Sequence, residues 1–199
     1  MDNQLKELFG SWIQAIGTVI SAIGSTPTEK LSQEMLKSLN LWGNVLQGTG
    51  NAHLADAEES FSLGKLGNEI QAIGNTAVIA GIVIDFDEEI KQRLDINGNW
   101  LQAAGAGISI PDSLKGEPSS IRTLNIAANV LQMIGNSLQA IGGTWELKND
   151  REDNEKFKGY KENNHSNQIS YGQSLGILGS WIQAVGAVIQ AIVQSNQSS

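Results

Sequence analysis

The stretch Gly10-Ser11-Trp12-Ile13-Gln14-Ala15-Ile16-Gly17 returns almost unchanged near the other end of the chain, where residues 179–186 read Gly-Ser-Trp-Ile-Gln-Ala-Val-Gly. Four weaker copies lie between these two, at residues 43–50, 67–74, 98–105 and 128–135. One glutamine holds the same position in every copy: Gln14, Gln47, Gln71, Gln102, Gln132 and Gln183. The spacing between copies is irregular, so the repeat indicates six related units and not a strict-period solenoid.

Each copy has the periodicity of an α-helix. The apolar residues of the first copy follow heptad spacing: Phe9, Ile13, Ile16, Ile20 and Ile23. Glycines recur every seven residues beside this apolar seam. A glycine inside a helix costs about 1 kcal/mol relative to alanine, so the glycine stripe predicts close approach of a second helix. The predicted packing glycines are Gly10, Gly17, Gly24, Gly74, Gly105, Gly135, Gly142, Gly179 and Gly186.

The sequence therefore predicts an all-α fold, with residues 1–199 forming one bundle of about six mostly antiparallel amphipathic helices. Apolar side chains cover most of the first helix, which predicts helices buried on several sides. The second helix is predicted to begin at Pro27 and to end near residues 48–50, before a turn over 51–60. Pro111 is predicted to end the fourth helix, and a charged insertion is predicted at about 146–170.

Composition excludes several classes of function. The formal net charge of -8 argues against binding to nucleic acid, which needs clustered lysine and arginine. The chain contains no cysteine, which excludes disulfides, thiolate metal sites and cysteine nucleophiles. The N-terminus lacks the basic region of a secretory signal peptide, so the sequence predicts a cytoplasmic protein or one exported without a conventional leader.

No catalytic, cofactor or metal site is predicted. The two histidines, His53 in a predicted turn and His165 in the insertion, have no partner at metal-ligand spacing. The acidic run at 85–89 is typical of a helix start, and residues 95–99 lack the glycine placement and closing glutamate of a calcium loop. The glycines lie inside amphipathic repeats, where they indicate packing and not phosphate binding. We therefore predict no enzyme and no small-molecule substrate.

A polar strip runs along every repeat. Three residues before each glutamine stands an asparagine or a serine, and residues three apart share one helix face. Besides the six glutamines, the strip comprises Asn44, Asn68, Asn99, Asn129, Ser11 and Ser180. Four roles are open to it: amides that satisfy one another between packed helices, a solvated face, a surface for a ligand or a sister subunit, and the lining of a pore.

Tryptophan repeats as well. Trp12, Trp100 and Trp181 share one repeat position, where they are predicted either to pack in the core or to lie at a membrane interface. Residues 175–193 carry no charge and are close to the roughly 20 residues that span a bilayer. However, the mean hydropathy of the chain is -0.17, and this segment contains Ser180 and Gln183. Membrane insertion is therefore the alternative and not the favoured prediction.

The repeated Gly-Ser-Trp-Ile-Gln-Ala-Ile-Gly resembles uncharacterised repetitive proteins of Bacillus-type spore formers, over the repeat cores and not the connectors. This resemblance implies a small, helix-rich bacterial protein without known catalysis. From the sequence we predict a non-enzymatic structural or self-assembling protein, a homo-oligomer that associates through low-charge glycine, alanine and glutamine faces. The alternative is a membrane-active helical protein of toxin or pore type.

Overall fold

Six α-helices make up the described part of the chain. The computed structural model describes residues 2–115, 118–156 and 169–197. The helices are α1 (Asn3–Gly24), α2 (Gln33–Ala57), α3 (Leu63–Val83), α4 (Glu88–Ser113), α5 (Ser120–Lys156) and α6 (Tyr171–Gln197). No strand occurs within these residues, which confirms the predicted all-α bundle. Of the predicted insertion, the first part continues α5, and residues 157–168 lie outside the described residues.

The helices form a closed ring. Each one packs against the helix before it and the helix after it in the chain, and α6 packs against α1. Within the described residues, no two helices on opposite sides of the ring come into backbone contact. The packing is most extensive inside three hairpins, α1–α2, α3–α4 and α5–α6. The first and last copies of the repeat are therefore neighbours, and all six helices surround one axis.

Facing glycines hold the two helices of each hairpin together. A Cβ atom built on Gly17 would stand 2.7 Å from the carbonyl oxygen of Gly43, and one built on Gly43 would stand 2.8 Å from that of Gly17. Only glycine allows two backbones to approach so closely. The same reciprocal contact joins Gly10 with Gly50, Gly67 with Gly105, Gly74 with Gly98, Gly135 with Gly179, and Gly142 with Gly172.

The glycine contacts also fix the direction of the helices. Successive contacts step seven residues forward in one helix and seven residues back in the other, as antiparallel heptad packing requires. Gly24 and Gly186 extend the seams of their hairpins, because they lie against the backbones of Asn40 and Ala128. All of the packing glycines named from the sequence thus lie between the helices of a hairpin.

The predictions that Pro27 begins α2 and that Pro111 ends α4 are wrong. Helix α2 begins after Ser32, whose hydroxyl accepts a hydrogen bond from the Met35 N–H at 3.2 Å, so Pro27 lies before the helix. A serine in this position satisfies a backbone N–H that would otherwise lack a partner. Pro111 lies inside the last turn of α4, which ends at Ser113. So close to the end of a helix, the missing N–H of proline removes a single backbone hydrogen bond.

The predicted end of α2 is also wrong. The helix passes through Gly48 and Gly50 and continues to Ala57, so His53 lies in a helix and not in a turn. Gly50 stays helical because it packs against Gly10 of α1. Glycine here marks a helix contact, whereas the sequence pattern suggested a helix end.

The ring places polar side chains inside and large apolar side chains outside. The apolar seam of α1 points outward: Phe9 is 45% exposed and Ile16 is 49% exposed. The buried apolar residues are mainly alanines, whereas Gln14 and Gln132 are among the largest fully buried side chains. All five tryptophans are exposed. The prediction that the apolar faces are buried is therefore wrong, because the glycine seams turn the neighbouring polar strip toward the axis.

We expect Gly17→Ala to destabilise the fold by about 1–3 kcal/mol, because the added methyl group overlaps the backbone of α2. Gly176→Ala is the matched control, since a Cβ atom at Gly176 meets nothing within 4 Å. In this open position alanine should stabilise α6 by about 0.5–1 kcal/mol. Thermal unfolding followed by circular dichroism checks both values. Equal melting temperatures for the two variants would contradict the close-contact interpretation.

Candidate functional site: the polar axis of the ring

The six repeat glutamines are buried inside the ring, and we call them the glutamine layer. All six are at least 95% buried. Gln183 on α6 donates from Nε2 to Gln47 Oε1 at 2.8 Å and to Gln102 Oε1 at 3.2 Å. Its Oε1 atom accepts from Gln139 Nε2 at 2.9 Å. Helices α2 and α4 do not pack against α6, so these hydrogen bonds cross the axis.

A second chain of hydrogen bonds joins two more glutamines of the layer. Gln14 Nε2 donates to Gln132 Oε1 at 3.0 Å, and Gln132 Nε2 donates to Gln190 Oε1 at 2.6 Å. Helices α1 and α5 are not neighbours in the ring, so this chain also crosses the axis. Gln14, Gln47, Gln102, Gln132 and Gln183 thus each bond to another glutamine across the ring, which is the first of the roles left open by the sequence.

The remaining residues of the polar strip lie on the same inner face. Asn44 Nδ2 donates to the Asn40 side chain at 2.8 Å, and Asn129 Nδ2 donates to Ser113 Oγ of α4 at 3.0 Å. Asn99 donates to a carbonyl oxygen of its own helix, as do Ser11 and Ser180. Asn68 lines a cavity at one end of the ring. The whole predicted strip therefore faces inward.

Sequence reasoning missed several inward-facing polar residues beyond the repeat core. They follow the repeat glutamines by four or seven residues, which is the spacing of one helix face. That spacing was the signal that would have found them. They are Asn51, Asn75, Asn136, Gln139 and Gln190.

A cavity of about 350 Å³ lies on one side of the glutamine layer, and we call it the upper cavity. Residues from all six helices line it, including Gln47, Gln102 and Gln183 of the layer. The two carboxylates in its wall are Asp95 and Glu146. Since every helix contributes to it, the cavity lies on the axis, at the end of the ring where α1 ends and α2 begins.

A second cavity of about 310 Å³, the lower cavity, lies at the other end of the ring, where α1 begins and α2 ends. All six helices or the residues that end them contribute to its wall as well. Its carboxylates are Glu7, Glu58 and Asp112. Gln190, which bonds to the layer through Gln132, also lines it. The glutamine layer thus separates two polar cavities on one axis.

Some buried amide atoms near the layer have no hydrogen-bond partner. They include the oxygens Gln14 Oε1, Asn51 Oδ1 and Asn75 Oδ1, and the nitrogen Asn136 Nδ2. Each of these side chains is at most 2% exposed. A buried polar atom left unpaired costs about 1–3 kcal/mol. Three of these four atoms are acceptors, so the interior has spare capacity to bind donors or cations.

The carboxylates of the cavities differ in their electrostatic surroundings. Desolvation raises the pKa of Asp95, which directly precedes the uncharged part of α4, to about 6, although a hydrogen bond from Asn99 opposes the shift. Burial also raises the pKa of Glu7. By contrast, Lys115 and the N–H of Gly64 lower the pKa of Asp112. Asp112 is therefore tied into an ion pair, whereas Asp95 holds its charge at a cost.

The predicted tryptophans lie on the outside of the ring. Trp12, Trp100 and Trp181 are each 41–44% exposed, so they are not core residues. Each lies two residues from a glutamine of the layer, so its backbone is near the middle of its helix. Trp12 and Trp181 each donate the indole N–H to a hydroxyl on the neighbouring helix or its end, Ser195 and Thr26.

Neither the histidines nor the acidic residues form a metal site in the described part of the chain. No group of three or more His, Asp or Glu side chains is placed there to hold a metal ion. His53 packs edge-to-face against Phe9 on the outside of the ring, and His165 lies outside the described residues. The chemical capacity of the ring resides in the amides and carboxylates of its axis.

The chain belongs to the family described as "Family of unknown function (DUF6944)", whose model matches residues 5–191. This match extends from the first turns of α1 into the last part of α6, so it includes all six glutamines of the layer. Searches among curated proteins and among solved structures find no match.

We expect Gln183→Leu to destabilise the fold by about 1–3 kcal/mol, because Gln47, Gln102 and Gln139 would each lose a partner inside the ring. Gln173→Leu is the matched control on the same helix, since Gln173 is exposed and its substitution should change stability by less than about 0.5 kcal/mol. Denaturant unfolding measures both. A Gln183→Leu protein as stable as the control would rule out the hydrogen-bonded layer.

Asp95→Asn should stabilise the protein at pH 7.5 by up to about 2–3 kcal/mol, given about 1.4 kcal/mol per pKa unit. The folded-state pKa is raised, so the parent chain keeps full stability below pH 4 and loses it as the pH rises through about 6. The advantage of the variant should therefore be absent at pH 4 and constant above about pH 6.5. A pH-independent difference in melting temperature would contradict this assignment.

Proposed function

We propose that this protein is a membrane-active protein of pore type, in which the ring of six helices stands in a lipid bilayer and encloses a polar axis. The observation that carries the proposal is the reversed distribution of side chains, with amides inside and large apolar residues outside. In water this arrangement exposes apolar surface and buries groups that need hydrogen-bond partners. In a bilayer the apolar exterior meets lipid, which removes that cost.

The apolar surface surrounds the ring and is not confined to one patch. Every helix contributes at least one large apolar residue that is more than 40% exposed; examples are Ile16, Trp42, Ile73, Trp100, Ile134 and Val185. A surface that binds one partner would occupy one side of the molecule. Lipid is the partner that contacts all sides at once.

The distribution of charge has the dimensions of a bilayer. Each of the first five helices contains a segment without charge: residues 8–24, 38–55, 70–83, 96–111 and 123–145. At 1.5 Å per residue these segments are about 21–34 Å long, against about 30 Å for the hydrocarbon core. The charged residues lie at the two ends of the ring. Exposed threonines inside the uncharged segments, such as Thr49 and Thr76, donate their hydroxyls to carbonyl oxygens of their own helices.

Hydropathy alone identifies one spanning helix. Within the described residues, α6 is the helix whose length and hydropathy are sufficient to cross a membrane. The other helices have a lower mean hydropathy because the polar strip of each one is averaged with its apolar exterior. In a closed ring the strip does not meet lipid, so the hydropathy of the outer face is the relevant quantity.

Self-assembly in water is the second candidate function, because sister subunits would also cover the exposed apolar residues. A homo-oligomer that forms through one face would leave apolar residues on the other faces of the ring in contact with water. Membrane insertion explains the whole circumference, and for this reason we favour it. The two candidates differ in what the tryptophans contact, lipid chains or protein.

A single charge introduced on the outside of an uncharged segment distinguishes lipid from water as the surrounding medium. We expect Ile16→Lys to reduce the fraction of protein that floats with liposomes about tenfold or more, since lysine in the middle of a bilayer costs about 2.5–3.5 kcal/mol. Phe61→Lys is the control, because Phe61 is 77% exposed between α2 and α3 and lies outside the uncharged segments. It should float like the parent chain.

Fluorescence gives an independent measurement. Trp12, Trp100 and Trp181 are exposed on the outside of the ring, so lipids brominated deep in the acyl chain and lipids brominated near the headgroup should both quench the emission. A parent chain that stays in solution as a defined oligomer, with no quenching by either lipid, would refute insertion and support the assembly candidate.

A further inference from the structure

The axis of the ring holds a polar cavity toward each of its ends. The upper cavity and the lower cavity lie on opposite sides of the glutamine layer, and all six helices contribute to both. The glutamine layer lies between them. The layer is made of side chains and not of backbone.

We infer that the axis is a path for monovalent cations and that the glutamine layer is its closed gate, with Gln183 as the residue that holds the gate shut. This inference rests on the proposed function, since a path across the ring has a role only when the ring spans a membrane. It adds the class of solute and the residues that control passage.

The charges of the two cavities select for cations. The upper cavity carries Asp95 and Glu146, and the lower cavity carries Glu7, Glu58 and Asp112. Among the described residues, no lysine or arginine lines either cavity. Carboxylates that face a confined aqueous space concentrate cations and repel anions. A solute approaching from either end therefore meets the same sign of charge.

Buried amide oxygens of the layer and of its neighbours on the same helix faces are available to a cation. Gln14 Oε1, Asn51 Oδ1 and Asn75 Oδ1 are buried acceptors without a partner. Asn51 and Asn75 follow Gln47 and Gln71 by four residues, so they lie on the helix face that carries the layer. Amide oxygens replace the hydration shell of a monovalent cation in selective pores. They offer no comparable site to chloride.

Gln183 has the most connections in the layer. It bonds to Gln47 and Gln102 across the axis and to Gln139 on the neighbouring helix. Two of these three bonds bridge helices that do not otherwise touch. A shorter side chain at this position removes the bridge and leaves the helix seams intact, since the glycine contacts involve the backbone of Gln183 and not its side-chain amide.

The chain has no cysteine, so a single introduced thiol reports on one position. We expect Gln183→Cys in planar bilayers of neutral lipid to raise the potassium current at least about threefold over the parent chain. In a KCl gradient its reversal potential should lie near the potassium equilibrium potential. A cationic methanethiosulfonate should then reduce this current by more than half. Ser120→Cys, which is exposed at the start of α5, should show the current of the parent chain before and after the reagent.

Asp95→Asn in the Gln183→Cys background tests the selectivity. The reversal potential should move toward zero, because one of the two carboxylates of the upper cavity is lost. Glu34→Gln is the matched control: it removes an exposed carboxylate at the same end of the ring but outside the cavity, and should leave the reversal potential unchanged. Since Asp95→Asn is expected to be the more stable protein, a change in selectivity would not reflect misfolding.

Liposome flotation separates the two proposals. Protein that floats but carries no current as the Gln183→Cys variant, or that carries a chloride-selective current, overturns the cation path and leaves membrane insertion standing. Protein that does not float overturns the proposed function, and the cation path with it. Current that the thiol reagent does not alter shows that ions bypass position 183 and also overturns the inference.

Discussion

The contact between facing glycine backbones is the constraint on which the rest of the structure depends. Gly17 and Gly43 leave no room for a Cβ atom between α1 and α2, and equivalent pairs occur in the other two hairpins. Such a contact fixes both the distance between two helices and their rotation about their own axes. The rotation of each helix also determines the direction in which the residues beside the glycines point. The polar strip faces the axis, and the isoleucines and tryptophans face outward.

A polar interior of this kind must satisfy its amides, because each buried group without a partner costs about 1–3 kcal/mol. Glutamine suits the task because its side chain reaches across the axis and both donates and accepts. Gln14 and Gln183 bond to helices that their own helices do not contact. The layer therefore stabilises the ring across its diameter, while the glycines stabilise it around the circumference.

The repeat, the helices and the packing glycines could be predicted from the sequence because each of them is a local pattern. The side on which the polar strip lies could not. Heptad spacing shows that Phe9 and Ile16 share one face of α1, but it does not show whether that face points toward the axis or outward. We predicted that it was buried, as is usual for an apolar helix face in water. The cavity carboxylates could not be predicted either, since Asp95 and Glu146 are far apart in the chain and line one cavity only when α4 packs against α5.

The hairpin is the structural unit of this protein, and it has a consequence for how such a chain could change. Each hairpin carries its own glycine seam, and the joints between hairpins lack a reciprocal glycine pair in the described residues. Duplication or loss of coding sequence would therefore alter the ring by two helices at a time, and with it the number of amides on the axis. An even number of helices also keeps the beginning and the end of the chain at the same end of the ring.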